Sequence, residues 1–470
     1  MTGKPRFALV LAAAFVAAGT AFAQTGTPLS FDDAVKLALS RSDALAGAKA
    51  GVESQSHRAT SLDYLDYPRV EFDAKALDSE KTVKLNLSGA KSNAETALTP
   101  YLGENAAALI GDIPSNPVLG VHNSGVQSTV TATLPLYTGG RIDASQKAAA
   151  AAVHQAGADL TLTEQGVRTR VAQVYFLCQL LTRVRDVRIE VRDGLSLHLG
   201  NAKKAEKAGT IAHAQTLQAQ VAYDEAVRGL VKAEADLTSA KVALTNLLRL
   251  DRTPTPTTPL FVSSAALPSL ASFVDTAMAK HGALKKLDAL DAEAGEGVRI
   301  EHSARMPQVY LFGEYNLAGR NWDMTVPDWA FGLGVKYQLF SGIDRSEAEK
   351  SAAERQMQVQ ASRREVKNDL ETAVTRAYND VSSARDRFLL LASNIASARE
   401  NVRTQDASFR AGVATSVDVV DARLALSRAE IDRAEAAYQY DEALSRLLFA
   451  SGEAEAYSGY IAKADRVIAK

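Results

Sequence analysis

The chain is written twice, and that duplication limits its possible folds more than any other property it has. "KAGTIAHAQTLQAQV", ending at Val221, matches "RAGVATSVDVVDARL", ending at Leu424, at an offset of 203 residues. Gly209 falls on Gly412, Gln215 on Asp418 and Gln218 on Asp421, and the same offset carries Tyr175 to Tyr378 and Leu244 to Leu447. Upstream, "LPLYTGGR" meets "YQLFSGIDR" with one residue inserted. Earlier still, "YPRVEFDAKA" resembles "MPQVYLFGEY" at an offset of 239, so the first copy carries a longer insertion.

Each copy has the same parts in the same order: a helical opening (24–67; 272–306), a β-hairpin (68–137; 307–340) and a long helical hairpin (138–250; 341–451). A Pro/Thr linker (251–271) joins the copies, and 452–470 forms a C-terminal tail. The first hairpin holds a long polar loop from about Asp78 to Gly125, the second a short one from Asn316 to Asp328. Length variation of that kind marks a surface-exposed hairpin tip.

The N-terminus reads as a secretory signal peptide (1–23): Lys4 and Arg6, an apolar run from Phe7 to Ala18, and "AFA" before a cleavage point after Ala23. Gln24 rather than a cysteine stands directly after that point, so no lipid anchor is expected, and the single cysteine, Cys178, excludes an intrachain disulfide. The formal charge of −2 gives no reason to expect a nucleic-acid partner. After the signal there is no apolar run of the ~18 residues a helical span needs, so any membrane crossing would use strands.

The strands alternate. Val130, Leu134 and Leu136, with Trp329, Phe331 and Leu333, fall on apolar faces and are expected to face lipid. Arg69, Glu71, Asp73, Lys75 and Lys336 fall on the opposite faces and are expected to line a lumen. A sheet on a soluble core would alternate in the same way. Four strands per chain, however, cannot close a spanning barrel, so identical chains would have to share strands; three chains would give twelve.

No proline interrupts Arg141 to Ala208 or Arg345 to Ala411, and helices of that length could reach ~100 Å, with Gly157, Gly166 and Gly194 as candidate bends. The return helices carry heptads: Tyr223, Leu230, Leu237 and Leu244, with Ala226, Ala233, Ala240 and Leu247 between them. Copy two repeats the seam and breaks it once, at Arg433. A soluble coiled-coil rod anchored at a membrane would show the same heptads and is the alternative reading.

Asp418 and Asp421 share one face of the last helix, in its opening turns. Acids there suit helix capping, yet copy one has glutamines at the matching positions. The duplicated plan, "LPLYTGGR" entering a long helix, and "RAGVATSVDVVDAR" at the far turn together resemble the TolC family of trimeric outer-membrane efflux ducts. The resemblance covers nearly the whole mature chain. It implies an α+β membrane protein: a homotrimer with a twelve-stranded barrel in outer-membrane lipid above a helical periplasmic tunnel, not an enzyme and without cofactors. It further implies a passive duct for tripartite efflux or type I secretion, served by a periplasmic adaptor and an inner-membrane transporter. Asp418 and Asp421 would line its periplasmic gate, and Gly209, Thr210, Gln215, Gln218, Gly412 and Val413 would dock the adaptor. The Arg and Tyr that lock the closed end in some members fall here on Ala414 and Phe409.

Overall fold

The computed structural model describes residues 27–317, 327–340 and 342–468. The expected signal peptide lies outside them, as do residues 318–326 of the second copy's loop. Copy one comprises β1 (Pro28–Leu29), α1 (Phe31–Arg41), α2 (Asp43–Leu62), β2 (Arg69–Lys84), α3 (Ser88–Leu102), α4 (Asn105–Gly111), β3 (Val118–Tyr137), α5 (Arg141–Lys207) and α6 (His213–Leu248). A connection carrying β4 (Thr255–Pro256) and β5 (Leu260–Val262) leads to copy two. There follow α7 (Leu270–Lys280), α8 (Gly282–Ser303), β6 (Gln308–Asn316), β7 (Trp329–Lys336), α9 (Arg345–Arg410) and α10 (Ser416–Ala450), then α11 (Tyr457–Ala462) and β8 (Arg466–Ile468). Two compact units divide the chain: residues up to Ala50 with Gly157–Lys285 and Arg364 onward, and Gly51–Ala156 with Lys286–Arg363.

The second unit holds an antiparallel sheet in the order β2-β3-β6-β7. β6 pairs with β3 only as far as Asn316↔Thr129, whereas β2 and β3 stay paired out to Lys84↔Val118. The segment expected as a polar loop from Asp78 to Gly125 is therefore a two-stranded ribbon leading to α3 and α4. Both faces of such a ribbon are open to solvent, so no hydrophobic alternation marks it in the sequence.

The ladder is irregular at Leu136. The β3–β6 register slips between Pro135↔Tyr310 and Tyr137↔Val309, leaving Leu136 in a bulge while Tyr137 takes the next apolar-face pairing. Pro135 has no N–H for the ladder, which is the ordinary setting for a bulge. Leu339, its counterpart by the repeat offset, lies beyond the end of β7.

In the first unit most of the heptad seam is buried in the core. Ala226, Leu230, Ala233, Leu237, Ala240 and Leu244 are buried along α6, and Ala429, Ala436, Tyr440, Ala443, Leu447 and Ala450 along α10. At the break in the seam the Arg433 guanidinium lies 4.6 Å from the centre of the Phe388 ring, a cation–π contact that lets a charge share an apolar layer. α5 continues as helix through Gly157, Gly166 and Gly194.

The linker is fastened rather than loose. β4 pairs in parallel with β1, and β5 pairs antiparallel with β8. The Tyr175 hydroxyl donates to Leu29 O at 2.7 Å and accepts from the N–H groups of Thr257 and Thr258, both at 2.9 Å. Leu260, Phe261 and Val262 are buried, with Phe261 among the rings of Phe176, Tyr440 and Tyr457.

Candidate functional site

The two helical turns that the sequence aligns are built alike. Gly209 (φ 73°) and Gly412 (φ 74°) both adopt the left-handed conformation that ends a helix. In each, the glycine N–H reaches the carbonyl three residues back (Glu206, Phe409) and the next N–H the carbonyl five back (Ala205, Ser408). That pattern is the Schellman closure. Thr210, Gln218 and Val413 are exposed beside these glycines, and Gln215 is half-buried.

The following helices start differently. Thr415 caps α10 in a capping box: its N–H and hydroxyl donate to Asp418 Oδ2 at 2.8 and 2.7 Å, and Asp418 N–H returns to the Thr415 hydroxyl. These hydrogen bonds, the side-chain one foremost, hold the Asp418 carboxyl below its usual range. Copy one has Ala212 at the matching position with no side-chain cap, and instead His213 Nδ1 lies 2.7 Å from Glu206 Oε1 across the turn. Asp418 is thus a capping residue, and both it and Asp421 are exposed on one side of α10.

Sequence reasoning missed the buried polar group behind these turns. His198 of α5 is 2 % exposed, and its Nε2 lies 2.8 Å from the hydroxyl of Ser416, which is completely buried. The Phe409 ring meets the imidazole edge-on at 4.7 Å. Arg423 of α10 donates to Asp406 of α9 at 2.6 Å, and its guanidinium fills the space where Gly194 of α5 lacks a side chain. Burial first, and then the Arg423 charge, push the His198 pKa down against the opposing pull of Asp406. One helix of copy one is thereby tied to both long helices of copy two, with Phe409 packed in the same cluster as Leu199, Ala202, Ala219 and Val419. Higher on α10, Glu430 is buried between Arg399 (2.8 Å) and Arg183 (3.2 Å). The one sequence signal for this group was Gly194, a helix-interior glycine.

The sheet separates its side chains by register. Val130 and Leu134 share a face with Val70, Phe72, Leu311, Trp329, Phe331 and Leu333. This apolar face is open: Phe72 is 66 % and Phe331 72 % exposed. It stops where Asp78 and His122 pair at 3.1 Å on the ribbon. Tyr64, Tyr67, Tyr137, Tyr337 and Phe340, near the strand ends, are also exposed. The opposite face carries Arg69, Glu71, Asp73, Lys75, Glu314 and Lys336. Within β2, Arg69 pairs with Glu71 at 2.5 Å and Lys75 with Asp73 at 3.1 Å, so among these six side chains three cations balance three carboxylates.

A family model described as outer membrane efflux protein matches residues 34–248 and 273–453. The chain belongs to that family. It is a family of channels, and its members are outer-membrane proteins. The chain is 24 % identical over 314 residues to the outer membrane protein TolC of Vibrio cholerae, covering 64 % of this chain and 69 % of that one. It is 25 % identical over 280 residues to protein CyaE of Bordetella pertussis, covering 57 % and 58 %. The fold matches CusC with a TM-score of 0.72 at 15 % identity over 90 % of this chain and 91 % of that one. It also matches the CmeC outer membrane channel of Campylobacter jejuni, at 0.68, 13 %, 92 % and 88 %. The two-repeat, mostly helical architecture of this efflux protein is that of the TolC-like channels.

Proposed function

We propose that three copies of this efflux protein close a twelve-stranded barrel in the outer membrane and continue as a helical tunnel, forming a passive exit duct. One observation carries the reading: the sheet has an open apolar face and, among the described residues, unpaired outer edges on β2 and β7. Hydrocarbon offers such edges no hydrogen-bond partners, so membrane residence requires neighbouring copies to complete the ladder. In the trimer Val130, Leu134, Trp329, Phe331 and Leu333 face lipid, with Leu136 at the bulge beside them. Arg69, Glu71, Asp73, Lys75 and Lys336 face the lumen.

The turns at Gly209 and Gly412, with Thr210, Gln215, Gln218 and Val413, receive a periplasmic adaptor that couples the duct to an inner-membrane transporter, in efflux or in type I secretion. Asp418 combines capping with a second role: threefold symmetry gathers three copies each of Asp418 and Asp421 around one axis, where their charges attract cations. Single-channel recording in planar bilayers tests both levels. The purified protein is expected to conduct, and divalent cations are expected to block it in a manner weakened by Asp421→Ala with Asp418→Asn. A conducting protein whose block is unchanged removes the gate assignment. A detergent-free soluble monomer removes the duct.

A further inference from the structure

The lumen-side face of the sheet carries two groups that neither barrel closure nor charge lining accounts for. Tyr310 and Phe312 project from β6 on the same face as Arg69, Glu71 and Lys336, not on the apolar face. Each stands beside a glycine of β7: Phe312 pairs with Gly332 and Tyr310 with Gly334. A Cβ at Gly334 would stand 2.5 Å from Tyr310 Cζ and 2.8 Å from its hydroxyl oxygen, and one at Gly332 would stand 3.1 Å from Phe312 Cε1 and Cζ. Both rings therefore lie against bare β7 backbone. Glycine weakens a strand interior, and one accepted use of it there is the close approach of another group. On the β3 side the partners are Thr133 and Pro135, both small. The two rings are 6.3 Å apart, inclined at 54°.

We propose that Tyr310 and Phe312 form a stacking shelf on the inner wall of the barrel, a binding site for planar aromatic solutes in transit. The proposal rests on the duct reading, which places this face in the lumen. Each ring covers a glycine backbone and is only half-buried, and a flat ring of any charge can stack on its uncovered part. The balanced charges of the same wall do not select cations over anions, so planarity is what the shelf recognises. Three copies contribute six rings, whereas the positions of copy one that match Tyr310 and Phe312 at the 239-residue offset carry Glu71 and Asp73.

The test uses full-length protein in detergent and ethidium, a planar aromatic cation, with binding read by fluorescence anisotropy. Tyr310→Leu with Phe312→Leu keeps the glycines covered but removes both π-faces, and is expected to weaken ethidium binding about tenfold. Phe331→Leu, on the apolar face, is expected to leave it unchanged. Tyr310→Trp enlarges a ring and is expected to tighten binding several-fold. If the double leucine variant does not assemble, the tryptophan variant decides, and unchanged affinity there overturns the shelf. Equal loss in Phe331→Leu also overturns it, by placing the dye on the outer surface. Conductance of the same preparation separates the two levels: a non-conducting wild type defeats the duct, whereas a conducting protein with unaltered dye binding defeats the shelf alone.

Discussion

Gly194→Ala offers a sharp test of the polar group behind the helical turns. Alanine in a helix interior ordinarily gains about 0.5–1 kcal/mol over glycine. At Gly194 the added methyl would occupy the place of the Arg423 guanidinium. That group ends a flexible side chain, so it swings aside and the backbone stays in place; what is lost is its hydrogen bond to Asp406. With side chains 17 % and 27 % exposed, that charge-assisted pair contributes about 1–3 kcal/mol. The loss exceeds the helical gain, leaving a net destabilisation of about 1 kcal/mol. Gly166 lies on the same helix with nothing within 4 Å of its Cβ position, so Gly166→Ala takes the gain alone. Amide hydrogen exchange over 194–206 and 406–423 reads the difference, with about fivefold faster exchange expected in Gly194→Ala and none in Gly166→Ala. Adding Asp406→Asn to Gly194→Ala should cost little more, because the pair is already broken. If both alanines slow exchange alike, Arg423 is not seated as described.

Three further outcomes follow from the buried and capping groups. His198 titrates below its usual value in the folded chain, so its contribution to the cluster is present above about pH 6.5 and lost as pH falls through the folded value; exchange near Ser416 should accelerate in acid, and His198→Gln should abolish that dependence. Asp441 is fully buried, and burial raises its carboxyl well above the usual range despite a hydrogen bond from Phe261 N–H. Its compatibility with the fold is therefore complete below about pH 3.9 and declines as pH rises through the folded value, so Asp441→Asn should melt at or above the wild-type temperature at pH 8. Thr415→Ala should loosen the start of α10 but leave α6, which has no side-chain cap, unchanged; equal exchange at Val417 in variant and wild type would contradict the capping box.

The duplicated plan, the long helices and the heptad seam were legible because they rest on periodicity, and a period survives whatever the neighbouring chain segments do. The sheet faces were legible for the same reason as far as Leu134, where Pro135 breaks the alternation. The His198–Ser416 and Arg423–Asp406 contacts were not legible: they join residues far apart in sequence, and nothing in a local pattern tells an exposed histidine from one buried against another helix. Asp418 shows a subtler limit. Its absence from copy one argued against capping, but the cap belongs to the pair Thr415–Asp418, and copy one lacks both members. The Pro and Thr content of the linker marked it as non-helical, but not that its backbone groups are taken up by Tyr175 and by strand pairing.

The small strand pairs have a consequence for how such a chain could arise. β1 and β4 bring the start of the first half to its own end, and β5 and β8 do the same for the second half. Each half is thus a closed circuit, with both its termini held together by its own backbone. The peptide connecting them fixes how many halves travel together, not how either one is shaped, and a cut within it would leave four chain ends already anchored.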